Sequence, residues 1–353
     1  MLRNWRQRIS FTDILVWGLG VAIGVVVVVG TIATLVSGKY SPVIWLDLTI
    51  KGLAVGGVYA LIAMGYTLVY GILRMINFAH SEVFMSGPFT AVFLANALAR
   101  SGFLDRQPVI SMILVLMLSM AVSMTIAVLL ERIAYRPLRT APRLVPLITA
   151  IGASFFLQYT FRGLYGSGFE AYPIPKVLQG NIQLGTIRLF YTQIVVILGA
   201  LLMMLTLYAI VQWTKIGKAM RAVSEDKEVA ALMGIDVDRT IAFTFGLGGI
   251  SAGAAGILYA LLFPVVNFYM GFFPGIKAFT AAVLGGIGNV AGAFLGAVLL
   301  GLIESVGPNL FFDGLGIPTP GQLKDAIAFT ILVFILIFRP TGILGERLAQ
   351  TKA

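Results

Sequence analysis

From Ile14 to Val36 the chain carries no charged side chain. Comparable apolar stretches recur at about 50–70, 83–99, 109–130, 144–164, 191–212, 240–262 and 323–338, with a glycine-rich region at 275–306. A helix rises about 1.5 Å per residue, so roughly 20 such residues cross the hydrocarbon core. None of the stretches shows the apolar–polar alternation of a barrel strand. An all-α integral membrane protein is therefore expected, a polytopic bundle of about eight to ten transmembrane or broken helices. Composition agrees: 11% of residues are charged and mean hydropathy is +0.95, against a charged share of roughly 25% in soluble domains.

Several chemistries are set aside by what the chain lacks. There is no cysteine, and His80 is the single histidine, so disulfides, thiolate catalysis and a metal site are not expected. Gly286-Ile287-Gly288-Asn289-Val290-Ala291 has the spacing of a dinucleotide fingerprint but lacks a preceding strand, so no cofactor is expected. No Gly-x-x-x-x-Gly-Lys-Ser/Thr loop and no Gly-x-Ser-x-Gly elbow occur, so neither ATP hydrolysis nor acyl chemistry is assigned to this chain. The net charge of +10 is dispersed through short loops, which argues for helix orientation in a lipid membrane and against nucleic acid.

Those basic residues set a topology. Arg3, Arg6 and Arg8 precede a first apolar run longer than the roughly 7–15 residues of a signal h-region, which reads as an uncleaved helix with a cytoplasmic N-terminus. Arg132, Arg136, Arg139 and Arg143 mark one cytoplasmic loop, and Lys215, Lys218, Arg221, Lys227 and Arg239 mark another. The segment 165–190 then lies outside, and the tail with Arg339, Arg347 and Lys352 inside. Parity demands that the chain cross twice between about 276 and 306. That length suits two shortened helices meeting at a glycine-rich break, with Gly285, Gly286, Gly288 and Gly292 around it. Irregular backbone at membrane depth is tolerated where protein buries it or water lines it. Residues 52–80 offer a partial counterpart that ends in Arg74, Asn77 and His80. Asn77, His80 and Asn289 are candidate polar contacts of a translocation path; for the cluster of Asn77, His80 and Glu82, capping or helix orientation is the alternative. His80, Glu82 and Glu304 lack the regular spacing of a proton relay, while Arg162, Lys277 and Lys324 read as interfacial residues that snorkel.

One segment departs from all of this. In Ser224-Glu225-Asp226-Lys227-Glu228-Val229-Ala230-Ala231-Leu232-Met233-Gly234, four charged residues stand side by side within a helix-forming, cytoplasmic stretch. It reads either as a solvated loop helix or as a short helix that docks another protein.

Together, GLAVGGVYALIAMGYTLVYGILRMINFAH, GKAMRAVSEDKEVAALMGIDVDRTIAFTFGLG, KAFTAAVLGGIGNVAGAFLGAVLLGLIES and FRPTGILG resemble the branched-chain amino-acid ABC transporter permeases, specifically the Liv-type, H-class subunit, from about residue 50 to 345. The resemblance implies a non-enzymatic permease of the ABC importer fold in the bacterial cytoplasmic (inner) membrane. Its implied partners are a second permease subunit, usually a different chain, two cytoplasmic ABC ATPase subunits, and a periplasmic or surface solute-binding protein. It further implies a coupling helix with the pattern Glu-Ala-Ala followed by Gly, to which Glu228, Ala230, Ala231 and Gly234 correspond, with Glu225 and Asp226 as further acidic contacts. Val229 replaces the first alanine, and the Ile-x-Leu-Pro ending of other importer classes is missing. The expected organisation is an extra helix and basic segment at 1–40, the permease domain at 41–345 with its coupling segment at 214–239, and a short cytoplasmic tail at 346–353. A urea or short-chain amide permease shares much of this pattern, and an ion-coupled carrier would instead follow a gradient without any ATPase.

Overall fold

The computed structural model describes residues 11–345 other than Arg143, Thr186 and Pro340. The basic Arg3, Arg6, Arg8, Arg143, Arg347 and Lys352 used in the topology reading lie outside the described residues, as do 346–353 of the expected tail.

Among the described residues, nine helices are long and apolar enough to cross a membrane, and Phe272–Gly285 is a shorter apolar helix. In chain order the helices are α1 (Phe11–Ser37), α2 (Pro42–Leu73), α3 (His80–Arg100), α4 (Phe103–Arg106), α5 (Pro108–Leu129), α6 (Leu144–Tyr165) and α7 (Tyr191–Trp213). Then follow α8 (Lys215–Glu225), α9 (Lys227–Leu232), α10 (Val237–Leu262), α11 (Phe272–Gly285), α12 (Val290–Phe312) and α13 (Lys324–Phe338). The first turns of α2 and α5 carry Pro42 and Pro108, where a missing amide hydrogen costs nothing and φ is already helical. α2 begins well before residue 50 because Asp47 and Lys51, which dilute its apolar signal, pair along the helix at 2.7 Å.

The centre of the bundle is built on α2 and α10, which are buried along most of their length, while α1 and α13 face outward. Small residues let these helices approach. A Cβ at Gly301 of α12 would run into the backbone of Gly52 and Gly56 on α2, and one at Gly249 or Gly253 of α10 would meet the backbone of α5. Serines of α5 lock its crossings: Ser119 Oγ donates to the carbonyl of Gly253 on α10 and Ser123 Oγ to that of Val83 on α3, both at 2.8 Å. Such bonds contribute on the order of 0.6 kcal/mol each in a membrane bundle.

The loops collect at two ends. At one end, Arg136 reaches Asp238 at 3.6 Å, Arg139 pairs with the same carboxylate, and Arg74 donates to the carbonyl of Ser224. The expected basic loops thus share an end. At the other, Lys176 pairs with Asp105 at 3.3 Å, Lys39 with Asp313 at 2.7 Å, and the short strands β1 (Glu170–Ala171) and β4 (Val265–Val266) pair antiparallel. The segment 165–190, which also holds the hairpin of β2 (Asn181–Leu184) and β3 (Ile187–Phe190), is therefore opposite the charged island.

Only one of the two expected shortened helices is short. α11 has 14 residues, but α12 has 23, because it runs on past the expected end at 306 to Phe312. Gly286 and Gly288 adopt φ of +108° and +102°, and a side chain on Gly286 would strike the backbone of Gly345. The chain after α13 folds back over this turn: Ile343 N–H donates to the carbonyl of Leu284 at 2.8 Å and Leu344 N–H to that of Gly285 at 2.9 Å. The C-terminal segment thereby satisfies carbonyls that the end of α11 leaves open. Gly285 and Gly292 face one another across the turn, each too close to the other's backbone for a Cβ.

Candidate functional site

The charged island folds as two short helices held against the end of the bundle. Thr214 starts α8 by accepting from Gly217 N–H at 3.0 Å, and Gly217, Met220 and Val223 form its buried stripe. Arg221 anchors α8 to the end of α7 through the carbonyl of Val211 and, at 3.0 Å, Gln212 Oε1. Asp226 then caps α9, its Oδ1 accepting from Glu228 N–H at 2.8 Å and Val229 N–H at 3.0 Å. Gly234 ends the helix at φ +81°, with its N–H on the carbonyl of Ala231 and that of Ile235 on the carbonyl of Ala230. These two bonds are the paired closure that a left-handed residue after a helix permits.

The faces of α9 are clearly divided. Ala230 is buried against the bundle, whereas Val229, Leu232 and Met233 are 54%, 86% and 77% exposed. Glu225, Glu228 and Ala231 are exposed as well, and Asp226 is occupied by its capping role. The resemblance assigned contact to the alanines, but the large apolar tips are Leu232 and Met233. Beside them, burial of part of the Lys227 side chain lowers its ammonium below the usual lysine value, and the guanidinium groups of Arg139 and Arg74 add to the shift.

The platform beneath the island is an ion network that sequence reasoning did not identify. After α5 the chain continues as a π-helical segment, Leu130–Tyr135, which turns Glu131 into complete burial. There its carboxylate pairs with Arg136 at 3.2 Å and with Arg139, and Arg139 also binds Asp238 at the start of α10. The segment after α5 and the start of α10 therefore share charged groups that a shift of either would disturb.

The remaining predicted residues separate. Asn77 and His80 come together at the α2–α3 junction, both buried. Asn77 Oδ1 accepts from Tyr135 Oη at 2.6 Å, and the His80 ring packs edge-on to Tyr66, in space left by Gly65 and Gly248. Asn289 lies far from them in sequence: its Oδ1 caps α12 at Gly292 N–H, 2.9 Å, and its Nδ2 donates to the carbonyl of Leu344 at 3.1 Å.

A cavity of about 570 Å³ opens among α2, α10, α11, α12 and the start of α13, and none of these three residues lines it. Its charged floor corrects the reading of Lys277 as an interfacial residue. Lys277 is buried, 2.6 Å from both Glu304 Oε1 and Asp325 Oδ1. Charge within an apolar helix was the available signal, but pairing among α11, α12 and α13 depends on their packing. Among the described residues, no group of three or more His, Asp or Glu side chains could hold a metal.

Residues 48–336 match the family described as "Branched-chain amino acid transport system / permease component". The chain is 43% identical over 307 residues to the high-affinity branched-chain amino acid transport system permease protein BraD of Pseudomonas aeruginosa, covering 86% of this chain and 96% of that one. It is 39% identical over 303 residues to LivH of Escherichia coli K12, a permease protein of the same description, covering 84% and 94%. A probable branched-chain amino acid transport permease protein LivH from Methanocaldococcus jannaschii is 28% identical over 296 residues, covering 81% and 88%. No solved structure matches. With a bundle of this kind matched over most of its length, the chain belongs to the branched-chain amino-acid ABC transporter permease family, whose members are non-catalytic membrane components.

Proposed function

We propose that this chain carries branched-chain amino acids inward across the bacterial cytoplasmic membrane as one permease of an ATP-driven importer. The island end faces the cytoplasm and receives an ABC ATPase, the opposite end receives a solute-binding protein, and a second, different permease subunit completes the path. The observation that carries this reading is the exposure of Val229, Leu232 and Met233 at α9, which follows directly on α8, itself held by Arg74 through the carbonyl of Ser224 and by Arg221 to the end of α7. An apolar tip exposed to water is costly unless a partner covers it. Rigid anchoring lets a displacement of the tip reach the spanning helices instead of being absorbed in a loop.

Glu225 and Glu228 flank that tip as charged contacts, Asp226 and Gly234 fix the ends of α9, and Ala231 permits close approach. Ala230 holds the helix to its own bundle. Asn77 and His80 stiffen the α2–α3 junction beside the path, and the turn at Gly285, Gly286, Gly288, Asn289 and Gly292 is where α11 and α12 pivot. Residues 41–345 form the translocation unit. α1 is peripheral, held to the end of α12 by Lys39–Asp313 and by Gly314 N–H donating to Thr34 Oγ1 at 2.8 Å.

The test is uptake of radiolabelled L-leucine by proteoliposomes containing the complex purified from its native membrane, with its binding protein outside and ATP inside. Uptake should require ATP, survive collapse of ion gradients, and exceed that of urea. Leucine uptake that follows a proton or sodium gradient without ATP would contradict the reading.

A further inference from the structure

The cavity at the end opposite the island has the chemistry of a zwitterion site. Its apolar wall includes Leu48, Val55, Phe263, Phe273 and Pro308, and its charged floor is Lys277, Glu304 and Asp325. The volume of about 570 Å³ lies within the range of small-molecule pockets, about 300–1,000 Å³.

The floor is unbalanced in hydrogen bonding. Lys277 stands between Glu304 and Asp325, and Lys51 and Lys324 also line the cavity, so both signs of charge are present around it. Tyr59 Oη donates to Glu304 Oε1 at 3.3 Å, and Lys277 Nζ donates to the same oxygen at 2.6 Å. Glu304 Oε2 is buried and has no hydrogen-bond partner among the described residues. A buried acceptor left unmade costs about 1–3 kcal/mol, more when charged. An ammonium carries three N–H groups; Lys277 donates one to Glu304 Oε1 and lies 2.6 Å from Asp325 Oδ1, which has no hydrogen-bond partner among the described residues, so at least one N–H is left over.

We propose that this cavity binds a free α-amino acid. Its ammonium donates to Glu304 Oε2, its carboxylate accepts the remaining N–H of Lys277, and its aliphatic side chain lies against Val55, Phe263, Phe273 and Pro308. A zwitterion adds no net charge, and it supplies both the donor that Glu304 lacks and an acceptor for Lys277. A fatty acid would supply only the acceptor, and an alkylamine only the donor. This assignment rests on the importer reading for the aliphatic class of the amino acid, while the binding polarity follows from the floor.

The experiment uses the complex in lipid nanodiscs with a diazirine analogue of L-leucine as photo-cross-linker, adducts being mapped by mass spectrometry. The same preparation is assayed for ATP-driven leucine uptake after reconstitution. Adducts are expected on Val55, Phe263, Phe273 or Pro308, suppressed by excess L-leucine and not by 4-methylpentanoate or isopentylamine. Labelling should fall at least tenfold in monodisperse Glu304→Gln and Lys277→Met complexes, and the wild-type adduct positions stand by themselves if either variant misassembles. In a complex that transports leucine, adducts elsewhere, no adducts, or equal suppression by a truncated analogue would overturn the site and leave the importer reading standing. Adducts at these residues without ATP-driven uptake would uphold the site and overturn the importer. Absence of both adduct and uptake would overturn both.

Discussion

Asp226 opens and Gly234 closes the same short helix, the first through its carboxylate and the second through a left-handed backbone. The direction in which Leu232 projects is thus set from both ends of α9. Replacing Gly234 by valine forces a β-branched residue into φ +81°, which costs about 1–3 kcal/mol locally. The bundle should keep its melting temperature while limited proteolysis cuts the island several times faster. Unchanged cleavage would mean that Gly234 does not hold the end of the helix.

Leu232→Asp makes a complementary change, removing apolar contact while leaving the capping residues Asp226 and Gly234 in place. The purified chain should fold as before, since Leu232 is 86% exposed. Recovery of a co-purifying ATPase should drop at least tenfold in a pull-down from native membranes. Full recovery would place the docking surface elsewhere.

Arg139→Met should be among the more damaging single changes at this end, because it leaves Glu131 buried with only Arg136 beside it. Breaking a buried pair from one side costs about 3–5 kcal/mol, whereas removing both charges is much milder. Thermal unfolding in detergent should therefore show the double variant Glu131→Leu/Arg139→Met to be more stable than Arg139→Met alone. The reverse order would show that the network contributes through some other contact.

At the α11–α12 turn, Gly286→Ala introduces a Cβ at φ +108° against the backbone of Gly345. Both strain and collision act in one direction, so release of the 342–345 segment from the turn is expected. Hydrogen exchange of the Ile343 and Leu344 amides should quicken by at least tenfold relative to amides in α10, and equal protection in the two proteins would contradict this.

These residues also mark how much the sequence revealed. α7 was legible almost to the residue, because an unbroken apolar run ends at polar positions on both sides. The break at Gly286 was visible too, since three glycines and an asparagine fall within five residues, Gly285 to Asn289, and favour a turn there, although the pairs Gly56-Gly57 and Gly248-Gly249 lie within unbroken helices. The start of α2 was obscured by Asp47 and Lys51, a pair neutralised only once the helix exists. Lys277 posed the harder problem: its carboxylate partners lie on helices distant in sequence, so its apolar neighbours suggested a membrane interface where packing makes an internal ion cluster. Asn289 was read as a contact of the path, and its side chain caps α12 at Gly292 and bonds the carbonyl of Leu344 across the turn.

The central claim is that α9 meets an ATPase at its apolar tip and transmits motion from there. The chain contains no cysteine, so Leu232→Cys introduces a single reactive site. The decisive measurement is cross-linking of this variant in native membranes with a short thiol–amine reagent, followed by identification of the joined peptide. The account predicts one dominant adduct between Cys at this position and an ABC ATPase, with a yield that changes between ATP-bound and nucleotide-free states. An adduct with lipid-facing or unrelated proteins only, or an ATPase adduct indifferent to nucleotide, would contradict it.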